Sequence, residues 1–582
     1  RSSDLLIWRH NVAIEDEILA ALDPDQRAVA LASRGPVCVI AGAGTGKTRA
    51  ITHRIAYAAA IGTMDPAKVL ALTFTAKAAG EMRARLRSLG VPTVAARTIH
   101  SAALKQLLYF WPSVFGGRTP DLMTTKTGFI TEAINRAGLS DSVRVTNREL
   151  MRDIASEIEW AKVSQVAPSD YIDEISKRMQ KPRVLPEQMV QIYTAYESVK
   201  KQELAIDFED VLLLCAAMLE EEREVRERVQ DQYRYFTIDE YQDVSPLQHH
   251  LLDLWLGDHR DLCVVGDASQ TIYSFTGATS DYLLSFGSTY PDAHVVKLET
   301  NYRSTAPIVS AANSLMRDRP GALILTAATP EGPAPQVTAY PNDGAEARAV
   351  ATKIAAEIAS GTLPENIAVL YRINVQAVAL EQALSDLGVS TTIYGAKRFY
   401  DLPEVKQAIM ALRGASVSVS GEPLFKSVSD VLRSVGWSQE APQATGAARS
   451  KWEALNALMV MADEAPEGTS FRAFTDELLA RQAARHEPTM HAVTLASVHS
   501  AKGLEWDSVH VIGLSEGLFP ISYAQNLEAI AEERRLLYVA ITRARKQLSL
   551  SWAQQGTGRA TNRERSRFVA ELGMHNPDAG RK

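Results

Sequence analysis

The run AGAGTGKT, residues 41–48, sets an ammonium and a hydroxyl side by side behind a glycine-rich turn. Glycines in such a turn let backbone N–H groups face an anion at the first turn of a helix. Lys47 is placed to reach the β- and γ-phosphates of a nucleotide, and the Thr48 hydroxyl to bind Mg2+. Ala43, Gly44, Thr45 and Gly46 supply the cradle, while Ala41 stands where the strict pattern has glycine. Far downstream, YFTIDEYQD ends an apolar run in Asp239 and Glu240. The first can hold the Mg2+ and the second can orient and deprotonate an attacking water, as phosphoryl hydrolysis requires. Alone, an acidic pair after a strand is more often a solvated loop. Coupled to the upstream turn, it reads as catalytic. Gln26 in LDPDQRAV carries a primary amide that can pair with N6 and N7 of adenine together, which selects ATP over GTP.

Such groups must be held at strand ends. Short apolar runs that finish in polar or Gly-rich loops recur at 37–40, 69–72, 235–238 and 262–265, and again at 367–371, 493–496, 509–514 and 548–551. Runs of this length between helix-like stretches predict buried parallel strands in two α/β units. The first series is interrupted by a mostly helical stretch at about 101–205, as in TEAINRAGL and QIYTAYESVKKQEL. The second is interrupted at about 404–490, helical in EVKQAIMALRG and SFRAFTDELLARQAARH, with a loose connection at SQEAPQATGAARS. A weakly ordered tail is expected after Phe568.

The chain has 582 residues, too many for one core, with 46% hydrophobic and 23% charged residues, an ordinary globular balance. No apolar run reaches the length of a membrane helix, and the start RSSDLLIWRH lacks the features of a secretory signal. Cys38, Cys215 and Cys263 are isolated in apolar surroundings, which predicts buried thiols in a reducing, cytoplasmic setting rather than disulfides or a zinc site. With a net charge of −7, any nucleic-acid contact must use a local channel and not a basic coat. RARLR at 83–87 reads as a solvated helix face.

In order along the chain, LDPDQ, AGAGTGKTR, LTFTAKAAGEM, TIHS, DFEDVL, IDEYQDVSPLQ, VVGDASQTIYSFTGA, LETNYRS, AVLYRINVQAVALEQAL, VTLASVHSAKGLEWDSV and EERRLLYVAITRAR resemble the motifs of UvrD/Rep/PcrA-like superfamily 1A DNA helicases. The overall pattern is most similar to the shorter UvrD paralogues of actinobacteria. The resemblance implies two RecA-like parallel-sheet P-loop NTPase domains with ATP and Mg2+ between them. Residues 1–100 and 206–300 would form domain 1A, 101–205 its helical insertion 1B, 301–403 and 491–582 domain 2A, and 404–490 a short helical insertion 2B.

The same resemblance implies arginine fingers at Arg303 and Arg543, a γ-phosphate sensor at Gln270, adenine stacked between Tyr302 and Arg49, and Glu505 near the sugar. It also implies nucleic-acid contacts from Thr73, Phe74, Thr98, His100, Ser101, Phe208, Tyr273, Phe275, Arg372, Asn374 and His499. Aromatics displayed in strand-end loops can stack bases whatever their sequence. The expected activity is ATP-dependent 3′–5′ DNA helicase and single-strand translocase in repair or replication, working as a monomer associated with the nucleoid on single strands and their duplex junctions. Alternatives are a translocase that strips proteins with weak unwinding, or the motor of a helicase–nuclease complex. Phe275 stands for the family's Trp, Thr276 for its Arg and Ala76 for a frequent Asn, and the 404–490 insertion is shorter than usual.

Overall fold

The computed structural model describes residues 16–143, 147–178, 182–394, 400, 402–416, 423–440, 447–463, 465–466, 468–484, 491–556 and 562–573. The chain divides into two units, one running to Glu299 with Pro320–Leu323 added, the other comprising Thr300–Arg319 and the chain from Ile324 onward.

The first unit is built on β1 (Val37–Ala41), β2 (Val69–Thr73), β3 (Ala95–Thr98), β4 (Tyr235–Ile238), β5 (Leu262–Gly266) and β6 (His294–Leu298). These pair in the order β3-β2-β4-β5-β1-β6, and every pairing is parallel. Period-two alternation feeds two cores: Leu70 and Leu72 join one with the helices Ile99–Val114, Phe208–Glu221 and Pro246–Leu256, while Val69 and Ala71 join the other with the helix Lys47–Ala60. A strand buried on both faces needs an unbroken apolar run, which is why VLALT is legible in the sequence. Helices between Thr127 and Gln202 carry a separate core that includes Ile134, Ile158, Tyr171 and Tyr196.

The second unit contains β7 (Gln336–Tyr340), β8 (Ile367–Tyr371), β9 (Thr391–Tyr394), β10 (Val493–Ser497), β11 (Trp506–Val511) and β12 (Ala544–Ala553). Their order is β7-β12-β11-β8-β10-β9, again all parallel. The helices Pro403–Ala415, Leu424–Ser434, Ala447–Asp463 and Phe471–Ala484 enclose their own core around Val405, Val428, Leu455 and Leu478.

Three expectations change. β11 begins at Trp506, not Val509, and ends before Ile512. The apolar run was blurred by Ser508 and by His510, which is buried beside Glu357, its Nε2 lying 3.1 Å from Oε1. The last helix before residue 465 starts at Ala447, inside the stretch read as loose, and residues 441–446 lie outside the described residues. The stretch expected to be weakly ordered begins inside the helix Arg567–Glu571, which buries Phe568 beneath Arg534; residues 574–582 lie outside the described residues. All three cysteines are free and buried. The arginines of RARLR lie on the exposed side of the helix Ala76–Ser88. Among the described residues, no helix is long and apolar enough to cross a membrane.

Candidate nucleotide and nucleic-acid sites

The turn after β1 passes through left-handed backbone at Gly44 and Gly46, with φ of 72° and 78°. Gly46 caps the helix Lys47–Ala60 without a side-chain hydrogen bond, so no capping side chain competes for the first-turn N–H groups. A Cβ on Gly46 would lie 2.6 Å from Gln26 Nε2, which makes glycine necessary there on two counts. Gln26 is buried and its Nε2 donates to the Thr45 carbonyl at 3.0 Å. Asp23 caps the helix Pro24–Leu31 by accepting the Gln26 N–H at 2.7 Å. The Thr45 hydroxyl donates to the Gly42 carbonyl at 2.9 Å beside buried Ala43, and Arg49 Nη2 donates to the Ala21 carbonyl at 2.5 Å. The Gln26 side-chain amide is therefore clamped to the glycine-rich turn itself.

β4 brings Asp239 to the same turn, where the Thr48 hydroxyl donates to Asp239 Oδ2 at 3.3 Å. A hydroxyl and a carboxylate converging at a helix N-terminus form the hard oxygen donor set that suits magnesium beside phosphate. Burial, and then the charge of Glu240, push the Asp239 carboxyl up to about 6, against the pull of Lys47, the Glu240 N–H and the Thr48 hydroxyl. Glu240 sits at φ 56°, left-handed backbone that is uncommon for a non-glycine residue. Its Oε1 lies 3.4 Å from Lys47 Nζ, and its Oε2 accepts from Gln242 Nε2 at 2.5 Å. β5 lies between β4 and β1 in the sheet and delivers Asp267 and Gln270. Asp267 is buried, which raises its pKa, and its Oδ2 accepts from Gln270 Nε2 at 2.8 Å. The motif reading passed over Gln242 and Asp267. The pointer to both was a polar residue just beyond a buried strand end.

In the second unit, Arg303 Nε lies 2.5 Å from Glu505 Oε2, and Arg303 Nη1 donates to the Thr542 carbonyl at 3.2 Å. Arg543 is buried; it donates through Nε to the Val539 carbonyl at 2.9 Å, through Nη1 to the Leu504 carbonyl at 3.1 Å, and through Nη2 to the Thr542 hydroxyl at 3.0 Å. The two arginines and Glu505 are thus brought together around Thr542. Tyr302, on the strand Thr300–Thr305, is 48% exposed.

The residues expected to touch nucleic acid fall into separate groups. Thr73 is buried at the end of β2, and Phe74 is half-buried against the first core. Thr98 caps the helix Ile99–Val114 by accepting the Ser101 N–H at 3.1 Å. His100, held well below its usual range at about 4 by burial, meets Phe208 edge-on with ring centroids 6.1 Å apart. Phe208 is 48% exposed at the start of its helix, and Tyr273 is half-buried in the loop after β5. The Phe275 side chain lies outside the described residues. Asn374 is exposed. Burial, and then the charge of Arg372, hold His499 down at about 4. Arg372 is gripped by Glu533, with Nη2 2.8 Å and Nε 3.0 Å from Oε1, and its Nη2 also donates to the Tyr523 hydroxyl at 3.4 Å.

Beneath Phe208, Asp207 is fully buried and receives two bonds of 2.8 Å from Lys162 Nζ, one from the Tyr196 hydroxyl at 3.0 Å and one from Lys200 Nζ at 3.3 Å. Asp210 accepts from the same two lysines at 2.5 and 2.6 Å. Asp207, Asp210 and Glu197 cluster tightly enough to ligate a cation, but the ammonium groups of Lys162 and Lys200 occupy that role.

The family profile for the UvrD/REP helicase N-terminal domain matches residues 22–291, and that for the UvrD-like helicase C-terminal domain matches 296–437 and 422–555. The chain is 44% identical over 578 residues to the ATP-dependent DNA helicase UvrD2 of Mycobacterium tuberculosis (strain H37Rv), spanning 95% of this chain and 82% of that protein. It is 29% identical over 654 residues to the ATP-dependent DNA helicase PcrA of Bacillus subtilis, spanning 96% and 86%. Against the PcrA of Leuconostoc citreum it is 28% identical over 632 residues, spanning 93% and 83%.

Proposed function

We propose, from the premise that this chain belongs to the UvrD/REP helicase family, that it is an ATP-dependent DNA helicase and single-stranded DNA translocase moving 3′ to 5′ in repair or replication. The observation that carries the reading is the meeting of Lys47, Thr48, Asp239 and Glu240 at a helix N-terminus without a capping side chain. Thr48 and Asp239 would hold Mg2+, which neutralises charge on the β- and γ-phosphates when bound. Lys47 exchanges its contact with Glu240 for phosphate oxygens, which frees Glu240 Oε1 to take the proton of the attacking water. Gln26 reads adenine, Gln270 senses the γ-phosphate, and Arg303 and Arg543 offer guanidinium N–H groups to the charge that develops there. Tyr302 and Arg49 flank the base, with Glu505 at the sugar.

The sequence-based division into 1A, 1B, 2A and 2B is retained as the working scheme, with a single strand held through Phe74, Phe208, Tyr273 and Phe275 on the first unit and Arg372, Asn374 and His499 on the second. Alternating grip, driven by ATP binding and release, yields movement along the strand. The test is ATP turnover by the wild type and by Lys47→Ala with single-stranded DNA, single-stranded RNA, duplex or no polymer. Single-stranded DNA should stimulate most, and Lys47→Ala should lose at least about 10²-fold in kcat while still binding the strand. DNA-stimulated turnover surviving in Lys47→Ala would overturn the reading.

A further inference from the structure

We infer that Gln242 is a positioning residue that aims the hydrolytic carboxylate of Glu240 and ties it to the strand end bearing Gln270, an inference that rests on the roles proposed above for those two residues. Gln242 is 0% exposed, and its side-chain amide bonds in both directions. Nε2 donates to Glu240 Oε2 at 2.5 Å, and Oε1 accepts the Asp267 backbone N–H at 3.0 Å. These partners fix which way the amide points, because turning it over would set oxygen against carboxylate and NH2 against N–H. The Gln242 carbonyl also accepts the Thr271 hydroxyl at 3.4 Å. Asp267 in turn holds the side-chain amide of Gln270.

The neighbouring backbone is shaped to admit this bridge. A Cβ added at Gly266 would lie 2.5 Å from Gln242 Oε1, 3.2 Å from its backbone N and 2.9 Å from Leu283 Cδ2. Gly266 is the last residue of β5, so that strand ends on a glycine where the amide crosses it. Glu240 sits on left-handed backbone at φ 56°. With Oε1 of Glu240 3.4 Å from Lys47 Nζ, Gln242 holds the other oxygen and so sets how the carboxylate is turned. The bridge runs from Glu240 through Gln242 and Asp267 to Gln270, and the last three are all buried. It therefore links the group that activates water to the group that reads the γ-phosphate.

Two kinds of variant separate positioning from bulk stability. Gln242→Met keeps the volume and removes both side-chain hydrogen bonds, and Gln242→Glu keeps the shape and removes the donor. Gly266→Ala leaves the amide intact and displaces it. In all three, kcat for ATP turnover stimulated by single-stranded DNA should fall about 10²-fold, the usual effect of misplacing a catalytic group by an ångström. KM for ATP should move less than about threefold, because the phosphate-binding groups are retained. Thermal unfolding identifies any variant that does not fold, and those that remain decide. A kcat within about twofold of wild type in any folded variant of Gln242 overturns the inference. Glu240→Gln is the control for its premise. If that variant still turns over ATP, both the role of Glu240 and the inference fall; if it is inactive while Gln242→Met is normal, the inference alone falls.

Discussion

Gly46 shows how narrowly single residues are specified in the nucleotide site. Its backbone is left-handed and its missing side chain leaves room for the Gln26 amide. Gly46→Ala therefore meets backbone strain of about 1–2 kcal/mol and a clash with the Gln26 amide. Affinity for ATP should drop at least about tenfold, measured by titration calorimetry with a non-hydrolysable analogue; unchanged affinity would show that the turn tolerates a side chain. Lys47, Thr48, Asp239 and Glu240 were legible in the sequence because their spacing from strand ends is fixed by the chemistry of phosphate binding. The partners of the second unit's motif arginines were not. Glu533 lies 161 residues from the Arg372 it grips, and no local pattern marks such a pairing. Tyr523 is a similar case, 65% exposed and bonded to that same arginine.

At the scale of elements, the strands of the two six-stranded sheets that the sequence missed are β3, β6, β7 and β9, and each is an edge of its sheet. Edge strands are half-solvated, so HVVKL and TTIY lack the unbroken apolar signature of central strands such as VLALT. The helices between Thr127 and Gln202 were visible in outline, but not the buried Lys162, Lys200 and Asp207 that lock two of them to the helix at Phe208. Lys162 and Lys200 come from the helices Arg148–Val163 and Pro186–Gln202, and Asp207 caps the third. Burial works to raise the Asp207 pKa, but Lys162 and Lys200 outweigh it and hold the carboxyl below its usual range. Burial likewise opposes the charge on Lys162, yet Asp207, Asp210 and Glu197 raise its pKa.

The depressed carboxyl contributes stability above the ordinary carboxylate range and loses it as pH falls through its own lower value. The raised ammonium contributes below the ordinary lysine range and loses it as pH rises through its own higher value. Lys162 and Asp207 are thus charged and stabilising throughout neutral pH. Lys162→Met should cost about 3–5 kcal/mol in urea unfolding at pH 7 by removing the nearest counter-charge of a fully buried carboxylate. Lys162→Met with Asp210→Asn, which removes one charge of each sign, should recover part of that loss. Equal loss in both variants would show that packing, and not charge, governs this joint.

For the whole molecule, the notable feature is where the positive charge is tied. The net charge is −7, and three arginines in the motifs already have acceptors within their own unit: Arg303 with Glu505, Arg372 with Glu533, and Arg543 with backbone carbonyls. His100 and His499, held near 4, stay neutral at physiological pH. Among the residues assigned to the strand, aromatic faces and uncharged donors therefore outnumber available cations. Little counterion release should accompany binding, so log affinity for single-stranded DNA plotted against log salt should be no steeper than about −2, where each phosphate neutralised contributes about −0.7. A markedly steeper line from fluorescence anisotropy would place the grip on cations other than these. A grip made of stacking outlasts the ionic swings that loosen charge-based binders.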